Sequence, residues 1–244
     1  MKEERYFYVP DAQTEQELPQ EEAVHAVRVL RLKEGDTIFL QDGNGSFYRA
    51  EVTQAQGKHC YYSIIETIPQ DKLWRGHLHL AMAPTKMMER VEWLVEKGTE
   101  IGCDEFSFMI CRFSERMRLR TDRLEKIVVS AVKQSRKAWK PQVNEIEPLP
   151  SFLSRPRNGK KYICHCYDEI PRKDLYAELQ ALDKDEDITV LIGPEGDFSV
   201  EEVKSAMDNG YVSVTLGSAR LRTETAALSA IMMMQLVRRK EQNL

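Results

Sequence analysis

An apolar run, Ile188 to Ile192, gives way to Gly193-Pro194-Glu195-Gly196-Asp197-Phe198-Ser199. About one helix later comes Leu216-Gly217-Ser218-Ala219-Arg220-Leu221-Arg222-Thr223-Glu224-Thr225-Ala226. Both segments read as strand-to-loop transitions. Pro194 fixes φ and carries no N–H, and Gly193 and Gly196 accept conformations that a side chain forbids. The first loop can therefore press bare backbone against a ligand, and a flat, nearly uncharged group such as adenine suits it. Glu195, a carboxylate between two loop glycines, either fixes the loop or meets the ligand. Thr223 is placed to cap the helix that follows, with Glu224 in its first turn favouring the positive end of the helix dipole.

A second set of residues invites metal chemistry and is rejected. His165 lies between Cys164 and Cys166, but two-residue cysteine spacing with no second cluster is poor ligand geometry, and strand cysteines are commonly buried. His77 and His79 share a strand face without an acidic or cysteine partner nearby in sequence. The five cysteines form no CxxC pair and no even framework, which fits reduced thiols.

These loops need a scaffold, and the periodicity supplies one. In the first seventy residues short strands surround one helix: Arg5 to Val9, a helix over Glu21 to Leu32, a hairpin of Thr37–Leu40 and Phe47–Val52 around Asp42-Gly43-Asn44-Gly45, and Tyr61 to Glu66. The pattern fits a small barrel. The polar stretch Pro69-Gln70-Asp71-Lys72 precedes a change of rhythm, which places the boundary between domains 1–72 and 73–244. Beyond it, strands at Leu78–Met82, Glu105–Ile110, Tyr162–Cys166, Ile188–Ile192 and Val212–Leu216 alternate with helices at Lys86–Ile101, Thr121–Ala138, Pro171–Leu182, Val200–Asn209 and Thr223–Arg239. That order predicts a mostly parallel α/β sheet with ligands beyond the strand C-terminal ends.

Composition narrows the class. The 244 residues carry a net charge of −4, which argues against a uniformly basic nucleic-acid binder, yet the average hides an asymmetry. Residues 1–72 hold 8 basic and 13 acidic side chains, whereas residues 112–140 hold 10 basic and 3 acidic ones. The latter stretch is a solvated helix face or the seat of a phosphate backbone. No apolar run is long enough to cross a bilayer, and Met1-Lys2-Glu3-Glu4-Arg5 opens no apolar signal segment, so a cytoplasmic protein is expected. Neither a P-loop nor a complete dinucleotide fingerprint is present.

The paired loops resemble those of the RsmE family, SPOUT-type methyltransferases that modify N3 of a uridine in small-subunit (16S) ribosomal RNA with S-adenosylmethionine. The family's usual GPEGG has Asp197 in place of its last glycine here, and Asp197 is expected to keep clear of the backbone that meets adenine. The resemblance extends along nearly the whole chain. His25, Val29, Leu30 and Arg31 match a His-x-x-x-Val-Leu-Arg signature, Lys97, Glu100 and Gly102 occupy recurring helix positions, and Gln134-Ser135-Arg136 matches a further element, with Val132-Lys133 where Ala-Glu is commoner.

The resemblance implies a PUA-like or OB-like β-barrel followed by a SPOUT domain with a C-terminal trefoil knot, which spacing alone does not reveal. It implies S-adenosylmethionine held by His165, Cys166, Ile192, Gly193, Pro194, Glu195, Gly196, Leu216, Gly217, Arg220 and Leu221. RNA would be held by Arg5, His25, Arg28, Arg31, Lys86, Arg112 and Arg136. The expected partners are the assembled small subunit and a second copy of the chain, its apolar Ile231 to Leu236 helix face serving either the core or that interface. Methyl transfer to uridine N3 also needs the imide proton removed or the charge on its flanking carbonyls stabilised. Arg222 suits the second task through its forked donors, or else it caps a loop or pairs with Glu224. Arg222 and Glu195 are the candidate catalytic side chains.

Overall fold

The computed structural model describes residues 4–240; residues 1–3 of the opening segment lie outside that range. The chain forms two compact units. One runs up to Lys72 and takes in Val129–Lys140, and the other comprises Leu73–Val128 and Pro141 onward.

In the first unit, β1 (Tyr6–Tyr8), β2 (Thr37–Gln41), β3 (Ser46–Gln56) and β4 (His59–Pro69) form a sheet in that order, with β1 parallel to β2 and the other pairs antiparallel. Residues 16–18 extend the far edge, where Leu18 N–H donates to the Cys60 carbonyl and Tyr62 N–H to that of Gln16, both at 2.9 Å. Register shifts at Arg49/Ala50 and Val52/Gln54 curl the long hairpin. Its concave side buries Phe7, Ile38, Leu40, Tyr48 and Val52. Asp42 holds the hairpin turn, its Oδ1 accepting from Asn44 N–H at 2.7 Å and Ser46 N–H at 3.0 Å. Trp139 packs against Gly45 and donates from Nε1 to the Gln70 carbonyl at 3.0 Å.

The helix expected over Glu21–Leu32 is shorter. It is α1 (Gln20–Val24), loosened into a π-helical turn over His25–Val29, and it stops because Arg31 adopts a left-handed φ of 53°.

The second unit is a seven-stranded sheet. Its strands are β5 (Leu78–Met82), β6 (Glu105–Ile110), β7 (Gln142–Pro148), β8 (Lys160–Cys164), β9 (Lys173–Asp174), β10 (Ile188–Ile192) and β11 (Val212–Thr215), in the order β7-β6-β5-β10-β8-β11-β9. Every pairing is parallel. β5 and β10 are buried along their whole length, as expected of central strands covered on both faces. Helices α2 (Met88–Ile101), α5 (Leu175–Gln180) and α7 (Thr223–Arg238) pack together on one side. On the other, α4 (Leu149–Ser154) and α6 (Val200–Asp208) close a core of Ala81, Met109, Phe152, Leu191, Phe198 and Val203.

The parallel sheet matches expectation, and β5, β6 and β10 fall on their expected residues. β7 and α4 were not anticipated: β7 is a half-exposed edge strand with only Val143 and Ile146 as apolar markers, and the prolines around Leu149 mask a helix that tolerates Pro in its first turn. α3 (Thr121–Gln134) ends before the expected Ala138 because Arg136 takes a left-handed φ of 49°. Thr223 does not cap α7; the residue at the cap position is Arg222, with extended backbone and no side-chain cap bond.

Candidate functional site

β10 lies between β5 and β8, so the chain reverses its order across the sheet there. Such switch points open a crevice beyond the strand C-terminal ends. A cavity of about 840 Å³ occupies that position, walled by the loops that follow β8, β10 and β11 and by Arg90 from α2. All eleven residues proposed from sequence to hold a cofactor line it, and so does Arg222.

The loop after β10 is held from both sides. Ser199 and Glu202 form a reciprocal capping box at the start of α6, with Ser199 N–H donating to Glu202 Oε2 at 2.8 Å. Glu195 is exposed, and its Oε1 accepts from Lys86 N–H at 2.9 Å, tying this loop to the segment before α2. The expected conformational role of the glycines is corrected: neither Gly193 nor Gly196 has a positive φ. Both are needed for closeness, because a Cβ would stand 3.0 Å from Phe198 N at Gly193 and 3.0 Å from Phe113 Cβ at Gly196.

The left-handed residue of this loop is Asp197, at φ 66°. That turn aims its carboxylate back at the loop after β8, where Oδ2 accepts from Cys166 N–H at 2.8 Å and Oδ1 from Phe198 N–H at 2.7 Å. Asp197 was expected to keep clear of the ligand-facing backbone. It engages the Cys166 amide instead, since an aspartate tolerates the left-handed conformation and carries an acceptor that a glycine lacks.

The loop after β8 is locked by His165. Tyr167 N–H donates to its Nδ1 at 3.2 Å, and Ser213, whose hydroxyl donates to the Pro171 carbonyl, accepts from Nε2 at 2.7 Å. Both contacts require a neutral ring protonated on Nε2, and burial pushes the imidazole below its ordinary value against the pull of Asp197. Arg172 closes the loop, donating to the His165 carbonyl at 3.0 Å and pairing with Asp168 at 2.6 Å.

The third wall is the barest. Gly217 has φ 113° and nothing within 4 Å of where a Cβ would stand, so its backbone faces open space. Arg220 and Arg222 are exposed, and their side chains make no hydrogen bond or ion pair among the described residues. Arg222 does not pair with Glu224. That carboxylate is buried and stands 3.5 Å from Arg90 Nε, with its Oε2 lacking a hydrogen-bond partner among the described residues. Arg90 had no sequence signal, since it reads as an ordinary residue of an amphipathic helix, and Glu224 read as a dipole residue because burial is invisible in one sequence.

Comparison with known proteins gives the same answer from two directions. An RNA methyltransferase domain model matches residues 72–235, and an RNA methyltransferase PUA domain model matches residues 18–65. A crystal structure of a probable rRNA-methyltransferase from Porphyromonas gingivalis superimposes with a TM-score of 0.88 at 40% identity, covering 96% of this chain and 98% of the other. The chain belongs to the RsmE family. A Bacillus subtilis relative, ribosomal RNA small subunit methyltransferase E, is 27% identical over 243 residues, 93% of this chain and 94% of its own. Another member of the RsmE family, from Neisseria gonorrhoeae and solved bound to S-adenosyl methionine, superimposes with a TM-score of 0.80 at 27% identity, covering 96% of this chain and 98% of the other. The PUA-like first unit and the parallel sheet of the second are therefore those of the family.

The basic candidates for RNA fall into two groups. In the first unit, His25, Arg28 and Arg31 are exposed and Arg5 half-buried, and their side chains make no hydrogen bond or ion pair among the described residues. Arg136, in the same unit, lies over the Tyr6 ring at 5.1 Å and pairs with Glu4 at 3.1 Å. In the second unit, Lys86 pairs with Glu115 at 2.8 Å and Arg112 with Glu201 at 3.3 Å. Several guanidinium groups of the basic stretch 112–140 are already engaged: Arg120 meets Asp122, Arg123 meets Glu92, and Arg116 donates to the Thr85 and Lys86 carbonyls. Arg118 has no such partner.

Among the described residues no group of His, Cys, Asp and Glu is arranged to hold a metal ion, no helix is long and apolar enough to cross a membrane, and all five cysteines are free.

Proposed function

We propose that this chain methylates N3 of a specific uridine in 16S ribosomal RNA with S-adenosylmethionine as donor, acting on the assembled small subunit in the cytoplasm. The observation that carries the reading is the single cavity walled by the three loops after β8, β10 and β11. Its volume lies in the range of small-molecule sites, about 300–1,000 Å³.

The residues present fit the donor. Ile192, Leu216 and Leu221 offer apolar walls for adenine, and the bare backbone at Gly217 lets it approach closely. His165 and Asp197 hold two of the loops in register, and Glu195 ties the loop after β10 to Lys86. When bound, the sulfonium supplies an electrophilic methyl group. The chain's task is to align uracil with it, exclude water and manage the N3 charge. Arg222, unpartnered at the mouth of α7, is the cation for a uracil carbonyl.

His25, Arg28, Arg31 and Arg5 are the first-unit side chains proposed for RNA phosphates, joined by Arg136. Lys86 and Arg112 do the same from the second unit, since exposed ion pairs are worth only about 0–1 kcal/mol and exchange readily for phosphate. A homodimer is proposed from the exposed apolar side chains Met232 and Leu236 on α7 and Trp93 on α2. The knotted threading of the C-terminal segment is part of the same proposal, drawn from the family resemblance.

The test is calorimetry with S-adenosylmethionine, followed by incubation with small subunits from a strain lacking the enzyme and mapping of reverse-transcriptase stops. One new stop at a uridine is expected, because N3 methylation blocks pairing. Absence of cofactor affinity, or a modification elsewhere, contradicts the reading.

A further inference from the structure

Removing the N3 proton of uracil needs an acceptor, and few groups in the cavity wall can take one. Asp168 is exposed and paired with Arg172 at 2.6 Å. Both oxygens of Asp197 are engaged by the Cys166 and Phe198 amides. Glu195 is exposed and tied to Lys86 N–H. Both ring nitrogens of His165 are engaged inside the wall.

Glu224 differs from all of these. It is only 7% exposed, it lines the same cavity, and its Oε2 has no hydrogen-bond partner among the described residues. Arg90 Nε stands 3.5 Å from Oε1, a loose pairing that holds the side chain without saturating it. A desolvated carboxylate oxygen with no donor is costly, and an imide N–H supplies the missing donor. Rotation about the last side-chain torsion is soft, so either oxygen can turn to the cavity. Glu224 also stands two residues after Arg222, so base and cation come from the same turn of chain.

We infer that Glu224 is the proton acceptor for uridine N3, with Arg90 as its positioning partner; this rests on the reading under Proposed function. In the step, the N3–H bond breaks, the proton joins a Glu224 oxygen and the electron pair stays on N3. That pair forms the N3–CH3 bond as the methyl–sulfur bond breaks, leaving S-adenosylhomocysteine, neutral 3-methyluridine and a protonated Glu224 that returns its proton to solvent. The other charges of the cavity are Arg172, Arg220 and Arg222 as cations, and Asp168, Glu195 and Asp197 as anions.

Glu224→Gln keeps the shape and removes the basicity. Its single-turnover rate on small subunits is expected to fall by about 10²–10⁴-fold at neutral pH. Affinity for S-adenosylhomocysteine, read by calorimetry, is expected to stay within about threefold of the wild type. The rate of the Gln variant should climb about tenfold per pH unit as uracil ionises unaided, whereas the wild type levels off. Glu224→Asp, which keeps a carboxylate, should recover part of the rate.

A Gln variant that methylates at the wild-type rate, follows the wild-type pH profile, or loses rate and cofactor affinity in parallel overturns the assignment. So does an Asp variant no better than Gln. A wild-type protein that leaves no 3-methyluridine overturns the underlying reading and the assignment together, whereas an active wild type beside an unimpaired Gln variant overturns the assignment alone.

Discussion

The two ends of the parallel sheet use polar residues in opposite ways. At the N-terminal ends of β5, β6 and β10 nearly every polar group is matched. His79 Nε2 donates to Ser107 at 2.8 Å while Arg157 donates to its Nδ1 at 3.2 Å; Glu105 accepts from Asn144 at 2.7 Å and meets His77 at 2.8 Å. Asp104 braces the same end by accepting from Leu78 N–H and Trp74 Nε1–H, each at 2.8 Å. At the C-terminal ends the wall keeps two unpartnered arginines, a bare glycine and a buried carboxylate oxygen with no donor. The first network is largely satisfied, with Arg157 Nε left as its buried exception among the described residues, whereas the groups left open at the other end face a cavity that a ligand can enter.

That contrast can be broken by mutation at either end. Arg222→Ala should reduce turnover by about 10²–10³-fold with little change in S-adenosylhomocysteine affinity, because its partner is the developing uracil charge. Equal loss of rate and affinity would make it a cofactor-loop residue. Gly217→Ala places a Cβ at φ 113° and in the open space of the cavity, so cofactor affinity should fall about tenfold, a strain of roughly 1–3 kcal/mol. Unchanged binding in titration calorimetry would show that the ligand does not approach that backbone.

Asp197→Gly relaxes the left-handed strain but frees the Cys166 amide. Loss of a hydrogen bond to a charged acceptor, about 1.5–3 kcal/mol, should outweigh that relief and weaken cofactor binding several-fold. An affinity equal to the wild type would mean that the loops need no such tie.

The smallest effect on catalysis belongs to the other end of the sheet. His79→Gln should leave cofactor affinity and turnover at neutral pH unchanged while costing stability by about 2–3 kcal/mol. Burial holds the native His79 down at about 3 although Glu105 pulls it upward. As pH falls through 6.5, the unfolded chain takes up a proton that the native state refuses, so stability declines from there toward pH 3. Glu105 adds to the decline further down. Burial raises its pKa, but hydrogen bonding to His77 and the nearby charges outweigh this and hold it at about 2. Urea midpoints between about pH 7 and pH 4 should drop in the wild type and stay flatter in the variant; an equally steep decline in both would place the acid sensitivity elsewhere.

The loops were legible because their chemistry is local. Pro194, the flanking glycines and the apolar run before them mark a strand-to-loop transition in any context, and central strands such as Leu78–Met82 announce themselves by a predominantly apolar run that His79 alone interrupts. What was lost depends on distance in sequence. Asp197 reaches Cys166 across thirty-one positions, and Arg90 meets Glu224 from another helix. Burial of Glu224 follows from the packing of α7, which no periodicity within that helix reveals. The edge strand β7 was missed for a related reason: half its surface faces water, so its sequence is not required to look like a strand.

The most direct test of the account is nucleoside mass spectrometry of 16S RNA from enzyme-deficient small subunits incubated with the purified protein and S-adenosylmethionine. The account predicts one new nucleoside that co-elutes with 3-methyluridine, absent when the cofactor is omitted. A methyl group on any other nucleoside, or none at all, would contradict it.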